Sequence, residues 1–149
     1  MILVKDMMTP HAQGLSEDDT LDKALDMMAQ YGYHHIPVVK PRGELIGLVS
    51  HRDVLAALGS SLQSDEDKIR PDEITMGQIM IRDVFTIDPM TNLRKAAIYI
   101  RTQRYGCLPV VRDGKLVGII TDSDFVNIAI DLLEQIEDSE PPELEQASL

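Results

Sequence analysis

Two segments of this chain carry apolar residues at helical spacing, and each is followed by two short apolar runs. The first helical face comprises Leu21, Ala24, Leu25 and Met28, and its counterpart comprises Leu93, Ala96, Ala97 and Ile100. Spacings of three and four residues place such side chains on one side of a helix. The runs 36–39 and 45–49, and later 108–111 and 116–120, are typical of strands joined in hairpins. The pattern predicts mixed helix and strand structure, present twice.

The two copies stay in register along their length. Ile36-Pro37-Val38-Val39 corresponds to Leu108-Pro109-Val110-Val111, 72 positions later (108 against 36). The offset becomes 71 at Gly47 and Gly118, because the first hairpin turn holds one residue more than the second. A single insertion in a surface turn is easily tolerated. The chain therefore contains an internal duplication.

The order of elements in each copy predicts the architecture. A short apolar lead-in segment (4–8 or 76–80) and a brief extended segment (13–15 or 84–87) precede the helix, the hairpin and a closing helix. The first closing helix is predicted over 53–58, with Gly59 ending it. One such β-α-β-β-α unit would leave a sheet face uncovered. We therefore expect an α/β (α+β) fold in which two repeats pack sheet to sheet as one pseudo-two-fold module. The predicted boundaries are repeat 1 at 1–59, a linker at 60–75, repeat 2 at 76–137 and an acidic, disordered tail at 138–149.

Composition narrows the functional classes. The 149 residues carry a net charge of −11, which disfavours nucleic acid as a partner, since such binding relies on lysine and arginine. The N-terminus lacks the pattern of a secretory signal and no long apolar run is present, so we expect no membrane association. With the single Cys107 there is no intramolecular disulfide, and a cytoplasmic location is expected.

Candidate chemistry is concentrated where each hairpin meets its closing helix. The first corner is Ser50-His51-Arg52-Asp53, and the second corner is Thr121-Asp122-Ser123-Asp124. Two interpretations remain open. A hydroxyl residue followed three positions later by an acid is typical of a capping box. The amides of a helix N-terminus also attract phosphate, and a carboxylate beside them can accept the hydroxyl protons of a ribose.

The duplicated motifs resemble those of the cystathionine β-synthase (CBS) domain pair, or Bateman module. The resemblance rests on the Pro-Val-Val strands and on both corners, and it covers about residues 1–130. It implies a regulatory, non-enzymatic module that senses an adenosine-containing ligand: AMP, ADP or ATP, with S-adenosylmethionine or cyclic di-AMP as further candidates. It also implies a homodimer and a regulated partner protein, which the sequence does not identify. No cofactor is required.

The resemblance assigns the ligand contacts residue by residue. The matching aspartates hold the ribose, the matching hydroxyl residues lie near ribose or phosphate, and the residues just before each proline line the base pocket. The predicted nucleotide-binding residues are Ser50, His51, Arg52, Asp53, His35, Ile36, Pro37, Thr121, Asp122, Asp124, Cys107, Leu108 and Pro109.

The corners differ in charge. The first has Arg52, whereas the second has the additional carboxylate of Asp122, so we expect the first to suit phosphate better. A phosphate at the second would need a cation from elsewhere, for which Arg101 and Arg104 are candidates.

The histidines and Cys107 fit no zinc spacing and no nucleophile–base pair, so neither a metal site nor a catalytic residue is predicted. The alternative function is a ligand-free dimerisation or docking module. Two features of the second copy favour it: the additional carboxylate of Asp122, and Ile81, which stands where the first copy has Thr9.

Overall fold

The computed structural model describes residues 1–61, 70–104 and 106–140, and it contains six helices and five strands within those ranges. The helices are α1 (Val4–Met7), α2 (Leu21–Tyr31), α3 (His51–Ser61), α4 (Met76–Ile79), α5 (Leu93–Gln103) and α6 (Asp122–Asp138). The strands are β1 (Thr9–Pro10), β2 (His35–Val39), β3 (Leu45–Ser50), β4 (Cys107–Arg112) and β5 (Lys115–Thr121). None of the helices described is both long and apolar enough to cross a bilayer.

The strands form two antiparallel sheets, one for each repeat. Strands β2 and β3 make the first sheet, and the second has the order β1-β5-β4. The brief extended segments predicted before α2 and α5 add one residue to each sheet, because Leu15 pairs with Val38 and Ile87 pairs with Val110 in parallel bridges. The predicted α/β (α+β) class with paired repeats is confirmed.

The lead-in segments are exchanged between the repeats. Strand β1, at the start of the chain, pairs with β5 of the second repeat, and the amide of Val4 donates to the carbonyl of Thr91 at 2.8 Å. In return, Ile81 bridges to Leu48 in β3, and the amide of Met76 donates to the carbonyl of Asp19 at 2.8 Å. The predicted boundaries group each lead-in with the repeat that follows it, whereas in the structure each lead-in completes the other repeat.

This exchange also builds the two hydrophobic cores. The first core combines residues of α2, β2 and β3 with Ile74 from the predicted linker and with Met76 and Met80 from the lead-in of the second repeat. The second core combines α5, β4 and β5 with Val4 from the chain start. Burying these side chains is the main force that stabilises the fold, and each core needs both halves of the chain. The two repeats therefore form one cooperative unit rather than two independent domains.

The hairpin turns join the repeats at one end. The amide of Leu116 donates to the carbonyl of Gly43 at 2.9 Å, and the amide of Leu45 donates to the carbonyl of Gly114 at 3.3 Å. These reciprocal bonds follow the pseudo-two-fold symmetry. At the opposite ends of the hairpins, each corner lines a cavity together with residues of the other repeat.

The closing helices are longer than predicted. Helix α3 begins at His51 rather than Asp53 and continues through Gly59 to Ser61, so Gly59 does not end it. Helix α6 extends to Asp138, where the tail was predicted to begin. Part of the predicted linker and most of the predicted tail, residues 62–69 and 141–149, lie outside the described residues.

Candidate functional site

Both corners form capping boxes in the structure. Strand β3 delivers Ser50 to the start of α3, where the Ser50 amide donates to Oδ2 of Asp53 at 3.1 Å and the Asp53 amide donates to Oγ of Ser50 at 3.1 Å. At the start of α6 the Thr121 amide donates to Oδ2 of Asp124 at 2.8 Å, and the Asp124 amide donates to Oγ1 of Thr121 at 3.3 Å. The capping-box interpretation of both corners is therefore confirmed.

The two aspartates have a second possible role besides capping, because each also lines a cavity. Asp53 and Asp124 are half-buried, and the hydrogen bonds just given involve only Oδ2 of each carboxylate. Within the described residues no hydrogen bond to Oδ1 is made, which leaves that oxygen available to a ligand hydroxyl. The capping bonds fix the carboxylate in place, so structural and ligand-binding roles are compatible.

The first cavity lies between the repeats and has a volume of about 760 Å³. It is within the size range of small-molecule sites in proteins. Its polar wall is the first corner, Ser50 to Asp53, together with Arg104 from the end of α5. Its apolar wall comes from Leu48, Leu55 and Ile81. The complete lining is His34, His35, Leu48, Ser50, His51, Arg52, Asp53, Leu55, Ile81, Arg104, Gly106 and Cys107.

The second cavity is smaller and acidic. Its volume is about 230 Å³, and its lining includes Asp122 and Asp124 but no lysine or arginine. Thr9, from the exchanged lead-in, contributes to its wall, as Ile81 does to the first cavity. The complete lining is Thr9, Gly32, Tyr33, His34, His35, Ile119, Thr121, Asp122, Ser123 and Asp124. A phosphate chain would meet two carboxylates here without a compensating arginine or lysine.

His35 contributes to the walls of both cavities. Its ring lies so close to Gly106 that a Cβ on that glycine would be 3.0 Å from Cε1 of the imidazole. Burial lowers the pKa of His35, and the neighbouring carboxylate of Asp122 only partly opposes that effect. The imidazole is therefore held in its neutral form near pH 7. In that form one ring nitrogen donates and the other accepts a hydrogen bond, which suits the edge of a purine base.

Cys107 also lines the first cavity, although its sequence position associates it with the second repeat. Burial, with the nearby charges of Asp122 and Asp124, raises the pKa of the Cys107 thiol. A thiol that stays protonated is a weak nucleophile, so its role here is that of an apolar wall. Among the residues that the structure describes, no cluster of three or more His, Cys, Asp or Glu side chains is arranged to hold a metal ion.

Four of the predicted contact residues are placed elsewhere. Ile36 and Leu108 are completely buried in the two cores, and Pro37 and Pro109 beside them are buried as well. None of the four lines either cavity. Their contribution is to anchor the strands that carry His35 and Cys107, and a direct ligand contact from them stays a prediction.

Other site residues were not predicted. Leu48, Leu55 and Ile81 form the apolar wall of the first cavity, and Ile81 reaches it only because the lead-in segments are exchanged. The sequence shows a duplication but not which copy receives which lead-in. Arg104 was expected to serve the second corner, whereas it lines the first cavity, and Arg101 lines neither. The direction of this cross-repeat contact depends on how the repeats pack together.

The family model of the CBS domain matches this chain twice, over residues 4–60 and 76–131. These two ranges together cover most of the sequence. The chain therefore belongs to the CBS domain family, and the two matches make it a CBS pair.

Solved structures agree with this assignment. A putative acetoin utilization protein, AcuB from Vibrio cholerae, superposes with a TM-score of 0.80 at 45% identity, covering 95% of this chain and 99% of that one. The protein CBSX2 of Arabidopsis thaliana, in a structure that contains AMP, superposes with a TM-score of 0.75 at 30% identity, covering 89% of this chain and 98% of that one.

A curated relative of similar length is a CBS domain-containing protein from Dictyostelium discoideum, which is 30% identical over 139 residues, or 91% of this chain and 96% of that protein. Other relatives are longer. The chain spans 42% of an uncharacterized protein from Methanocaldococcus jannaschii and 24% of a homoserine O-acetyltransferase from Methanococcus vannielii. In the latter the similarity is confined to about a quarter of the protein.

Proposed function

We propose that this chain is a regulatory module that binds an adenine nucleotide in the first cavity and transmits its occupancy to a partner protein. The observation that carries the proposal is the convergence, in one cavity, of a fixed carboxylate, two arginines and an apolar wall. Asp53 would accept the ribose hydroxyls, Arg52 and the helix N-terminus would bind phosphate, and Leu48, Leu55 and Ile81 would cover the face of the base. The AMP bound by the similar protein CBSX2 supports this assignment.

Regulation follows from the position of the cavity between the repeats. A ligand that touches Asp53 in one repeat and Arg104 in the other favours whichever relative orientation of the repeats brings both groups to it. It shifts the population of orientations by as much as its affinity differs between them. The exchanged lead-in segments extend this coupling, because Ile81 lines the cavity and is bonded to β3.

The output is proposed to pass through a homodimer. Helix α6 carries three large apolar side chains at helical spacing that are exposed in the single chain: Val126 (58%), Ile130 (47%) and Leu133 (56%). Such a stripe on a helix is characteristic of an interface. A second copy of the chain would cover it and place two nucleotide cavities in one assembly. The same stripe supports the alternative function, in which docking alone is the purpose and the cavities stay empty.

The two functions are separated by binding measurements on nucleotide-free protein. The protein would be unfolded, freed of bound nucleotide and refolded, and its thermal unfolding followed with AMP, ADP, ATP, S-adenosylmethionine and cyclic di-AMP. A ligand at one hundred times its Kd adds about 2.7 kcal/mol of stability. A rise in Tm with at least one of them supports the sensor. No rise with any of them, from protein that refolds fully, favours the docking module.

A further inference from the structure

Three pairs of corresponding residues make the two cavities electrostatically unlike. Where the second corner has Asp122 and Ser123, the first has His51 and Arg52. Where Gly32 ends α2, Arg104 ends α5. In each pair the member that lines the first cavity is the more basic of the two. Since the repeats share the rest of their plan, these differences point to different ligands.

Arg104 is notable for its backbone. It has φ 56° and ψ 29°, in the left-handed region, and its counterpart Gly32 has φ 72° and ψ 20°. Glycine occupies that region without steric cost, whereas a side chain disfavours it. The second repeat therefore places an arginine at a position where the first repeat has the residue best suited to the backbone. An unfavourable backbone conformation of this kind is a reason to look for a role of the side chain.

The surroundings of Arg104 supply that role. Its side chain lines the first cavity with Arg52, which lies in the first turn of α3 on the other repeat, and it is exposed rather than held by an ion pair among the described residues. A guanidinium group binds phosphate oxygens through two parallel hydrogen bonds. An uncharged nucleoside offers nothing that would require two such groups.

We propose that Arg104 is the specificity-determining residue that makes the first cavity select phosphorylated over unphosphorylated adenosine ligands. The proposal rests on the proposed function, since it concerns the same cavity. In this arrangement the second repeat binds the phosphate of a ligand whose ribose is held by the first repeat. The second cavity, with Asp122 and Gly32 at the corresponding positions, makes no such selection.

The test is isothermal titration calorimetry of nucleotide-free protein with adenosine, AMP and ADP. The variant Arg104→Gly restores the residue that fits the left-handed backbone, so loss of folding is not expected. Arg104→Lys keeps the positive charge but removes the planar guanidinium group and its two parallel hydrogen bonds. Arg101→Gln is the matched control, because Arg101 lies one turn earlier on α5 and lines neither cavity.

The wild-type protein is expected to bind ADP at least tenfold more tightly than adenosine. In Arg104→Gly we expect that preference to fall by about tenfold or more, the range typical of a lost hydrogen bond to a charged group, with adenosine affinity unchanged. Arg104→Lys should fall between the two, and Arg101→Gln should match the wild type. An unchanged preference in Arg104→Gly, or an equal loss for adenosine and ADP, overturns the proposal.

These outcomes are separable from failure of the proposed function. Wild-type protein that binds adenosine and ADP equally well overturns the role of Arg104 and leaves a nucleoside-binding module. Wild-type protein that binds neither these three ligands nor any of the other adenosine compounds named above overturns both the role of Arg104 and the proposed function.

Discussion

Gly32 and Arg104 occupy the same place in the two repeats and share a left-handed backbone, yet one lines an acidic cavity and the other a basic one. The cost of an arginine in that conformation is roughly 1 kcal/mol relative to glycine. A duplicated chain that bound the same ligand twice would have no need of this difference. The relationship indicates that the repeats have kept a common fold while their cavities have diverged in charge.

The two capping aspartates provide a matched pair of variants. Asp53→Asn and Asp124→Asn both replace an ionised carboxylate in a capping box with a neutral side chain that can still accept a hydrogen bond. We expect each to cost less than about 1 kcal/mol in the free energy of unfolding. Only Asp53→Asn should weaken ADP binding, by about tenfold, because it removes a charged acceptor from the ribose. Calorimetry and urea unfolding of both variants check this, and an equal loss of affinity in the two would place the ligand elsewhere.

The exchange of lead-in segments predicts that any side chain at Gly118 destabilises the fold. A Cβ at this position would lie 2.8 Å from the carbonyl oxygen of Thr9 and 2.6 Å from Sδ of Met8. The methionine can move, but the backbone oxygen is held in the β1–β5 pairing. We expect Gly118→Ala to lower the free energy of unfolding by roughly 1–3 kcal/mol.

Gly59 is the control for that substitution. It lies in helix α3 and an added Cβ would meet nothing within 4 Å. Gly59→Ala should therefore raise stability, by about 0.5–1 kcal/mol, through its higher helix propensity. Urea unfolding of both variants gives the comparison. Equal stabilities for Gly118→Ala and the wild type would show that β1 does not pair with β5 in solution.

Helices, hairpins and the sheet class follow from periodicity and the duplication, because amphipathic spacing and alternating apolar runs act locally. The corners were predicted as well, since a Ser or Thr followed by an acid is a local signal. The exchanged lead-ins were not, because Met76 and Met80 would fit either core by polarity and size alone. The placement of Ile81 in the first cavity depends on that exchange, and the placement of Arg104 there depends on how the repeats pack together, so residue patterns did not predict either one.

His35 gives the stability a dependence on pH. Burial lowers its pKa in the folded protein below the value of about 6.5 in the unfolded chain. Between those two pKa values the unfolded state binds more protons, so stability is lost as pH falls through and below about 6.5. The groups that act on His35 electrostatically are Asp122 and Asp53, which oppose the shift, and His34, which adds to it.

A comparison with His35→Gln isolates this contribution. The free energy of unfolding is measured between pH 7.5 and pH 5 for both proteins. The wild type is expected to lose stability more steeply than the variant over this interval, since only the wild type carries the titrating imidazole. Parallel pH profiles would show that His35 has the same pKa in the folded and unfolded states.

The apolar stripe on α6 predicts the effect of a charge on assembly. Ile130→Glu places a carboxylate in the middle of the stripe formed by Val126, Ile130 and Leu133. Because Ile130 is exposed in the single chain, the substitution should leave its fold intact while breaking the proposed dimer. Light scattering after size exclusion should show a shift toward monomer. Gln135→Glu, which adds the same charge on the opposite, exposed side of α6, should retain the dimer if the stripe is the interface, whereas dimers of Ile130→Glu would exclude this face.

A crystal structure of the protein grown with ADP tests the central claim most directly. The account predicts the nucleotide in the first cavity, with its ribose hydroxyls on Asp53, its phosphates beside Arg52 and Arg104, and its base against Leu48, Leu55 and Ile81. A nucleotide seated at Asp124 in the second cavity, with the first cavity empty, would contradict it.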